Sequence, residues 1–290
     1  MPARPPGLIY AVDDIPPSWV GLVLGLQHLC VVAISFVFPV VVVRAMGGTA
    51  EQAEFMVNMS MLAAGVGTVL QALPRGPVGS GYLCPMVCGP SYLSASILAA
   101  QTGGAALVCG MTAFASLFVV GASRVMHHLR ILFPTEIVGL VVAMVGLTVL
   151  KLSATNFLGL DDAGRIIGPE SAIVALITLA TICALSVWGR GFPRLACVII
   201  GMAVGYAAAG IAGLLTREHA AEIGSANWVA FPFTDHPGFA FDASIVVPFV
   251  VAAVCSLLKN VGDITTCQKI NDADWQRTDM VNVRQGMLAD

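Results

Sequence analysis

This chain has little charge. Asp, Glu, Lys and Arg make up 11% of its 290 residues, roughly half of what a soluble domain carries. There is too little of it to hydrate an ordinary globular surface. No basic block and no interleaving of aromatic with basic residues occurs, so nucleic acid is not expected as a partner. No His-rich box, nucleophile–base pair or phosphate-cradling loop is present, which argues against an enzyme. The eight cysteines, at positions 30, 84, 88, 109, 183, 197, 255 and 267, fall in or beside apolar runs. That placement gives no loop-borne disulfide framework. Cys84 and Cys88 have no His or Cys partner at a ligating spacing, so neither a metal nor another cofactor is expected.

What the chain does have is apolar length. Hydrophobic residues make up 57% of it and 30 of its residues are glycine; the mean hydropathy is +0.87. Gly is commoner in membrane helices than in soluble ones because it lets helices approach closely. Crossing about 30 Å of hydrocarbon takes about 20 apolar residues. Runs of that kind lie at 20–43, 55–73, 78–100, 105–122, 134–150, 171–188, 195–215 and 245–266. The first is too long for a cleaved signal peptide. The expectation is an all-α integral membrane protein in a lipid bilayer.

Orientation follows from the enrichment of Lys and Arg in cytoplasmic loops. An inside N-terminus places Arg4, Arg75, Arg124, Arg130, Arg190, Arg194, Lys269, Arg277 and Arg284 in the cytoplasm. Only Arg44, Lys151, Arg165 and Arg217 then lie outside. The expected setting is the bacterial-type inner (plasma) membrane, multi-pass, with a cytoplasmic N-terminus.

The third run is not built as a helix. Residues 76–90 read G-P-V-G-S-G-Y-L-C-P-M-V-C-G-P, and Pro removes an amide donor while Gly lowers helix propensity. A short extended stretch is expected at 82–88, then a half-helix from Pro90 and Ser91. Its free amides and positive dipole end would face the midplane, where discontinuous helices hold polar substrates.

Lys259 and Asp263 stand one turn apart in the last apolar run. A charge in a membrane helix costs about 2.5–3.5 kcal/mol on insertion scales, so it faces a partner, a cavity or a substrate path. Two readings stay open. The residues form an intrahelical pair that only neutralises itself, or at least one of them binds substrate or ion. Gln27 and His28, mid-run, need hydrogen-bond partners whether they organise a site or only join helices. Tyr92 either borders a ligand or packs the half-helix. Glu136 beside Pro134 reads as a helix cap, and 269–285 reads as a polar cytoplasmic connector.

Several segments together resemble the nucleobase-ascorbate transporter family, also called the nucleobase:cation symporter-2 or uracil/xanthine permease family. They are G-L-Q-H at 25–28, G-P-S-Y at 89–92, F-P-T-E-I-V-G at 133–139, V-G-L at 145–147, G-D-I-T-T at 262–266 and R-Q-G-M-L-A-D at 284–290. The resemblance implies a secondary active transporter of a purine or pyrimidine nucleobase, coupled to H+. It implies 14 spans in two inverted seven-span repeats, split into core and gate domains, with a homodimer through the gates. On that frame 1–123 is core (spans 1–4), 124–215 gate (spans 5–7), 216–244 an outer loop, and 245–290 span 8 plus connector. The chain would then be a C-terminally truncated fragment, inactive alone.

Substrate contact falls, by the same resemblance, on Ser91, Tyr92, Lys259 and Asp263, with Gln27, His28, Gly89 and Gly262 organising the site. Lys259 stands where relatives commonly carry a glutamate. An ammonium donates and cannot accept, so either the substrate is oriented differently or the ligand is not the usual nucleobase. An anion (sulfate-like) transporter of the same fold and a non-transporting membrane protein remain as alternatives.

Overall fold

A computed structural model of the chain describes residues 4–5, 8–73, 76–129, 135–160, 168–215 and 236–289. Arg75, Arg130, Arg165 and Arg217 lie outside the described residues, as do Asp161, Asp162 and most of the expected outer loop. Phe133, Pro134 and Asp290 lie outside them too. Glu136 is described in its backbone alone, so its capping role is not described either.

Among the described residues there is no β-strand. The helices are α1 (Ser18–Ser35), α2 (Val37–Ala45), α3 (Ala50–Ala72), α4 (Leu93–Leu129), α5 (Thr135–Leu158), α6 (Pro169–Trp188), α7 (Phe192–Leu195), α8 (Cys197–Ile211), α9 (Val246–Asn271) and α10 (Met280–Met287). Single 3-10 turns at Pro90–Tyr92 and Ala243–Ile245 lead into α4 and α9. Among the described residues, five helical segments are long and apolar enough to cross a membrane: Ser18–Ala45, Ala50–Ala72, Pro90–Arg124, Pro169–Trp188 and Ala243–Asn271. The third joins what the sequence divides into two runs. The division survives as a kink at Gly103 (φ −147°) and Gly104 (φ 68°), the latter in the left-handed region that glycine enters without a Cβ penalty.

The chain forms two compact units. In one, made of Pro17–Ala33 and Leu147–Ala230, α6 packs on α8. The close approach is made by Gly201 and Gly205, whose Cβ positions are filled by Ile182 and Thr178, a small-residue contact one turn apart as in many membrane helix pairs.

The other unit comprises Met1–Pro16, Ile34–Gly146 and Phe231–Asp290. Its core is apolar and runs along α9, α4 and α10, where Ala99, Met111, Phe249, Ala253, Leu257, Ile264, Val283 and Met287 are almost fully buried. α3 starts with a capping box: Thr49 Oγ1 accepts from the Gln52 amide at 3.3 Å, and Gln52 Oε1 accepts from the Thr49 amide at 3.1 Å. Thr49→Ala is expected to lower stability by about 1 kcal/mol, the usual worth of an N-cap. A thermal melt in detergent that matched the parent within error would refute it.

Residues 83–89 carry neither helix nor strand, and helical structure restarts at Pro90. Non-helical backbone at membrane depth persists only if its polar groups are satisfied. Here the Met86 amide donates to Thr68 Oγ1 at 2.9 Å, and the Cys88 amide to Ser35 Oγ at 3.3 Å. The Cys84 amide closes on the Tyr82 carbonyl at 2.8 Å. Further back, the Gly81 amide donates to the Gln71 carbonyl at 2.9 Å and that of Gly79 to Gln285 at 2.8 Å. Gly79 has φ +96°, and its Cβ position is filled by the Leu70 carbonyl, so the turn into the extended stretch is open to glycine alone.

Residues 269–285, expected as a polar connector, are exposed or half-buried apart from Val283, and α10 begins within them. α10 folds back onto α9 and α4, and Val283, Gly286 and Met287 on it are buried. The reason is local. Asp279 caps the helix through the amides of Val281 and Asn282, and the apolar residues at 283 and 287 then fall on one face.

Candidate functional site

The helix restart and α9 meet around a cavity of about 410 Å³. The extended stretch contributes Cys84 to Val87 and Gly89, and the restart contributes Ser91 and Tyr92. From α4 come Thr112 and Ser116, and from α9 Ser256, Lys259, Asn260 and Asp263. Four of the expected site residues, Ser91, Tyr92, Lys259 and Asp263, therefore line one space together with Gly89. Gly262 lies on α9 between the two charges, and its carbonyl accepts the Thr266 hydroxyl at 2.8 Å. Gln27 and His28 belong to the other compact unit. There His28 Nδ1 donates to the Leu24 carbonyl of its own helix at 3.0 Å, and Gln27 Oε1 is buried without a hydrogen-bond partner among the described residues.

Each side chain is aimed by its element. Pro90 occupies the first position of the restart, where its missing amide costs nothing and its fixed φ suits the turn. The amides that follow it are short of helical acceptors, and Ser91 beside them has a buried hydroxyl with no partner among the described residues. Tyr92 leans on Phe249 of α9 with ring centroids 6.5 Å apart. Thr112 and Ser116 return their hydroxyl protons to Val108 and Thr112 carbonyls of α4 at 2.7 and 3.0 Å. Their oxygens keep acceptor capacity toward the cavity.

Lys259 Nζ donates to Asp263 Oδ2 at 2.7 Å, with 28% and 39% of the two side chains exposed. The pair is thus half-buried and mutually satisfied, although Lys preceding Asp at i, i+4 is the less favourable order for the helix dipole. It carries no net charge. The ammonium has two further donors and the carboxylate further lone pairs, so the pair offers a donor and an acceptor side by side.

Ser256 and Asn260 were not foreseen as lining residues. Their signal was present, because 256, 259, 260 and 263 recur at i, i+3, i+4 and i+7, one face of a helix otherwise apolar. Thr112 and Ser116 recur at i, i+4 in the same way. Met287, Leu288 and Ala289 also line the cavity, and no pattern in α9 or the extended stretch could have placed them there.

A second, more apolar cavity of about 430 Å³ shares Gly89, Tyr92, Thr112 and Ser116 with the first. Phe55, His236 and Phe239 border it, the His236 ring lying 5.7 Å from Phe55 and 4.6 Å from Phe239.

The model of a permease family matches residues 21–290. The chain is 28% identical over 279 residues to the xanthine permease XanP of Escherichia coli K12, an alignment covering 91% of this chain and 60% of that protein. It is 27% identical over 297 residues to the xanthine permease XanQ of the same organism, covering 98% and 63%. To the uric acid permease PucJ of Bacillus subtilis it is 27% identical over 256 residues, covering 85% and 56%. The chain thus spans about 60% of the length of the first of these curated relatives.

Proposed function

The chain belongs to the nucleobase-ascorbate transporter family of permeases, and on that premise we propose that it binds and helps to carry an oxopurine such as xanthine or uric acid across a membrane. The observation that carries this reading is the Lys259–Asp263 pair on the wall of the cavity that Ser91 and Tyr92 also line. An oxopurine presents N–H and C=O groups in alternation along its edges. A lone ammonium could meet only the carbonyls, whereas ammonium and carboxylate together meet both. Lys259 standing where relatives commonly have a glutamate is therefore compatible with a nucleobase, because Asp263 supplies the acceptor.

The same geometry disfavours the anion reading. A sulfate-like dianion needs uncompensated positive charge, and the ammonium that would provide it is already held by Asp263 at 2.7 Å. The amides of the helix restart would add donors for a ring carbonyl, with Tyr92 in position to flank the ring plane. The finer parts of the proposal rest on family resemblance: a 14-span inverted-repeat architecture with core and gate domains, a cytoplasmic N-terminus, coupling to H+ and a homodimer through the gate.

Equilibrium binding of radiolabelled xanthine to the purified chain in lipid nanodiscs tests the reading directly. Saturable binding displaced by unlabelled xanthine and uric acid, and untouched by millimolar sulfate, is the expected result. Saturable sulfate binding with no xanthine binding would overturn it in favour of the anion carrier.

A further inference from the structure

We propose that α10 is the latch of the cavity, and that Asn282 and Gln268 are positioning residues which hold the extended stretch in place through it. The observations are hydrogen bonds and burial, and they stand whichever ligand the cavity takes. Asn282 Nδ2 donates to the Ser80 carbonyl at 2.5 Å, joining α10 to the turn that opens the extended stretch. Gln285 makes two more links to that turn. Its carbonyl accepts from the Gly79 amide at 2.8 Å, and its Nε2 donates to the Gly76 carbonyl at 3.2 Å.

Gln268 of α9 fixes the start of the latch. Its Oε1 accepts from the Asp279 amide at 2.9 Å, and its Nε2 donates to the Asp279 carbonyl at 3.1 Å and to Asn282 Oδ1 at 3.0 Å. The last bond leaves the Asn282 amide nitrogen to face Ser80. Gln268 is 5% exposed, so these bonds form out of competition with bulk solvent. Gly286 lets the helix lie flat, since its Cβ position is filled by Ile264 of α9 and crowded by Ser80 and Gln71.

The consequence for the cavity is direct. Met287, the last residue of the latch, and Leu288 and Ala289 just after it form part of the cavity wall. Releasing α10 removes that wall and frees the turn at 76–81, whose backbone conformation sets the course of 83–89 toward Ser91. A chain of discrete hydrogen bonds to two elements at once is the kind of contact that opens as a local unit.

Cys84, which lines the cavity, is a native reporter of that opening. Cys197, partly exposed at the first residue of α8 in the other unit, beside the segment that carries Arg190 and Arg194, is the internal control. The chain in nanodiscs is treated with a polar maleimide and the two peptides are quantified by mass spectrometry. Asn282→Asp, isosteric but unable to donate to Ser80, is expected to speed Cys84 modification about fivefold, the factor that corresponds to about 1 kcal/mol, one ordinary hydrogen bond. Gln268→Glu should act in the same direction. Cys197 should not change in either. Gln285→Ala, which deletes only the exposed side-chain link, serves as the mild variant should the others fold poorly, and is expected to give a smaller rise. Equal rates at Cys84 in parent and variants, or an equal rise at Cys197, would overturn the proposal.

Discussion

Lys259→Ala is expected to raise the xanthine dissociation constant by about ten- to a hundredfold, the range set by a charge-assisted hydrogen bond of about 1.5–3 kcal/mol. Two losses act together. The ligand carbonyl loses its donor, and Asp263 is left half-buried in the cavity without its cation. Asp263→Ala is expected to weaken binding comparably, because the acceptor for the ring N–H disappears and the ammonium is stranded in turn. The double variant separates the two readings of the pair. If the residues only neutralise each other, each single change lowers thermal stability, the double change restores it, and xanthine affinity never moves. If they hold the ligand, the double variant stays weak even where its stability recovers. Binding isotherms and melts on the same four preparations decide the matter, and an unchanged dissociation constant in all four would remove Lys259 and Asp263 from the site.

What could be read in advance from the sequence followed two periodicities and one anomaly. Apolar length marks the spans because a bilayer imposes it. The Gly- and Pro-rich run at 76–90 marks the break because such a run cannot propagate a helix, and residues 83–89 are indeed non-helical with a restart at Pro90. The grouping of Ser91, Tyr92, Lys259 and Asp263 around one cavity was approached through family resemblance, and the helical spacing of 256, 259, 260 and 263 would have extended it. What could not be read is how the break is tolerated. Thr68 and Ser35 satisfy its amides from distant positions in the chain. In sequence neither hydroxyl can be told apart from that of Ser60, Thr102 or Thr266, which bond back into their own helices.

The same limit applies to α10. Its composition, one Arg, one Gln and one Asn among eight residues, looks like a solvated linker, and a hydropathy scan rightly finds no span in it. Burial there comes from tertiary contact with Ile264 of the preceding helix and with Ser80 and Gln71, a long-range coincidence in which the last two stand some 200 positions away. Local pattern carries no record of such a pairing. That is also why the cavity's third wall, Met287 to Ala289, went unforeseen while the other walls were within reach.

Gly110→Ala is expected to cause the largest loss of stability of any single methyl added to this chain's described helices, about 3–5 kcal/mol as the sum of overpacking, one lost hydrogen bond and one loosened aromatic pair. The carbonyl, carbon and nitrogen of Ala240 all crowd the Cβ position of Gly110, and backbone cannot turn aside as the end of a side chain can. Only displacement of the 236–242 segment from α4 relieves the clash. That displacement breaks the bond from the Ala240 amide to the Ala106 carbonyl, 2.9 Å long, and parts Phe241 from Phe114, whose ring centroids lie 5.5 Å apart. It also carries away His236 and Phe239 from the second cavity. Gly65→Ala on α3 is the matched control: a Cβ there meets nothing within 4 Å, so only the helix-propensity gain of up to about 1 kcal/mol remains. Chemical unfolding of the two variants in mixed micelles should move in opposite directions from the parent. Equal midpoints would mean that the 236–242 segment does not rest on α4 at Gly110, and the packing that brings His236 and Phe239 to the second cavity would have to be redrawn.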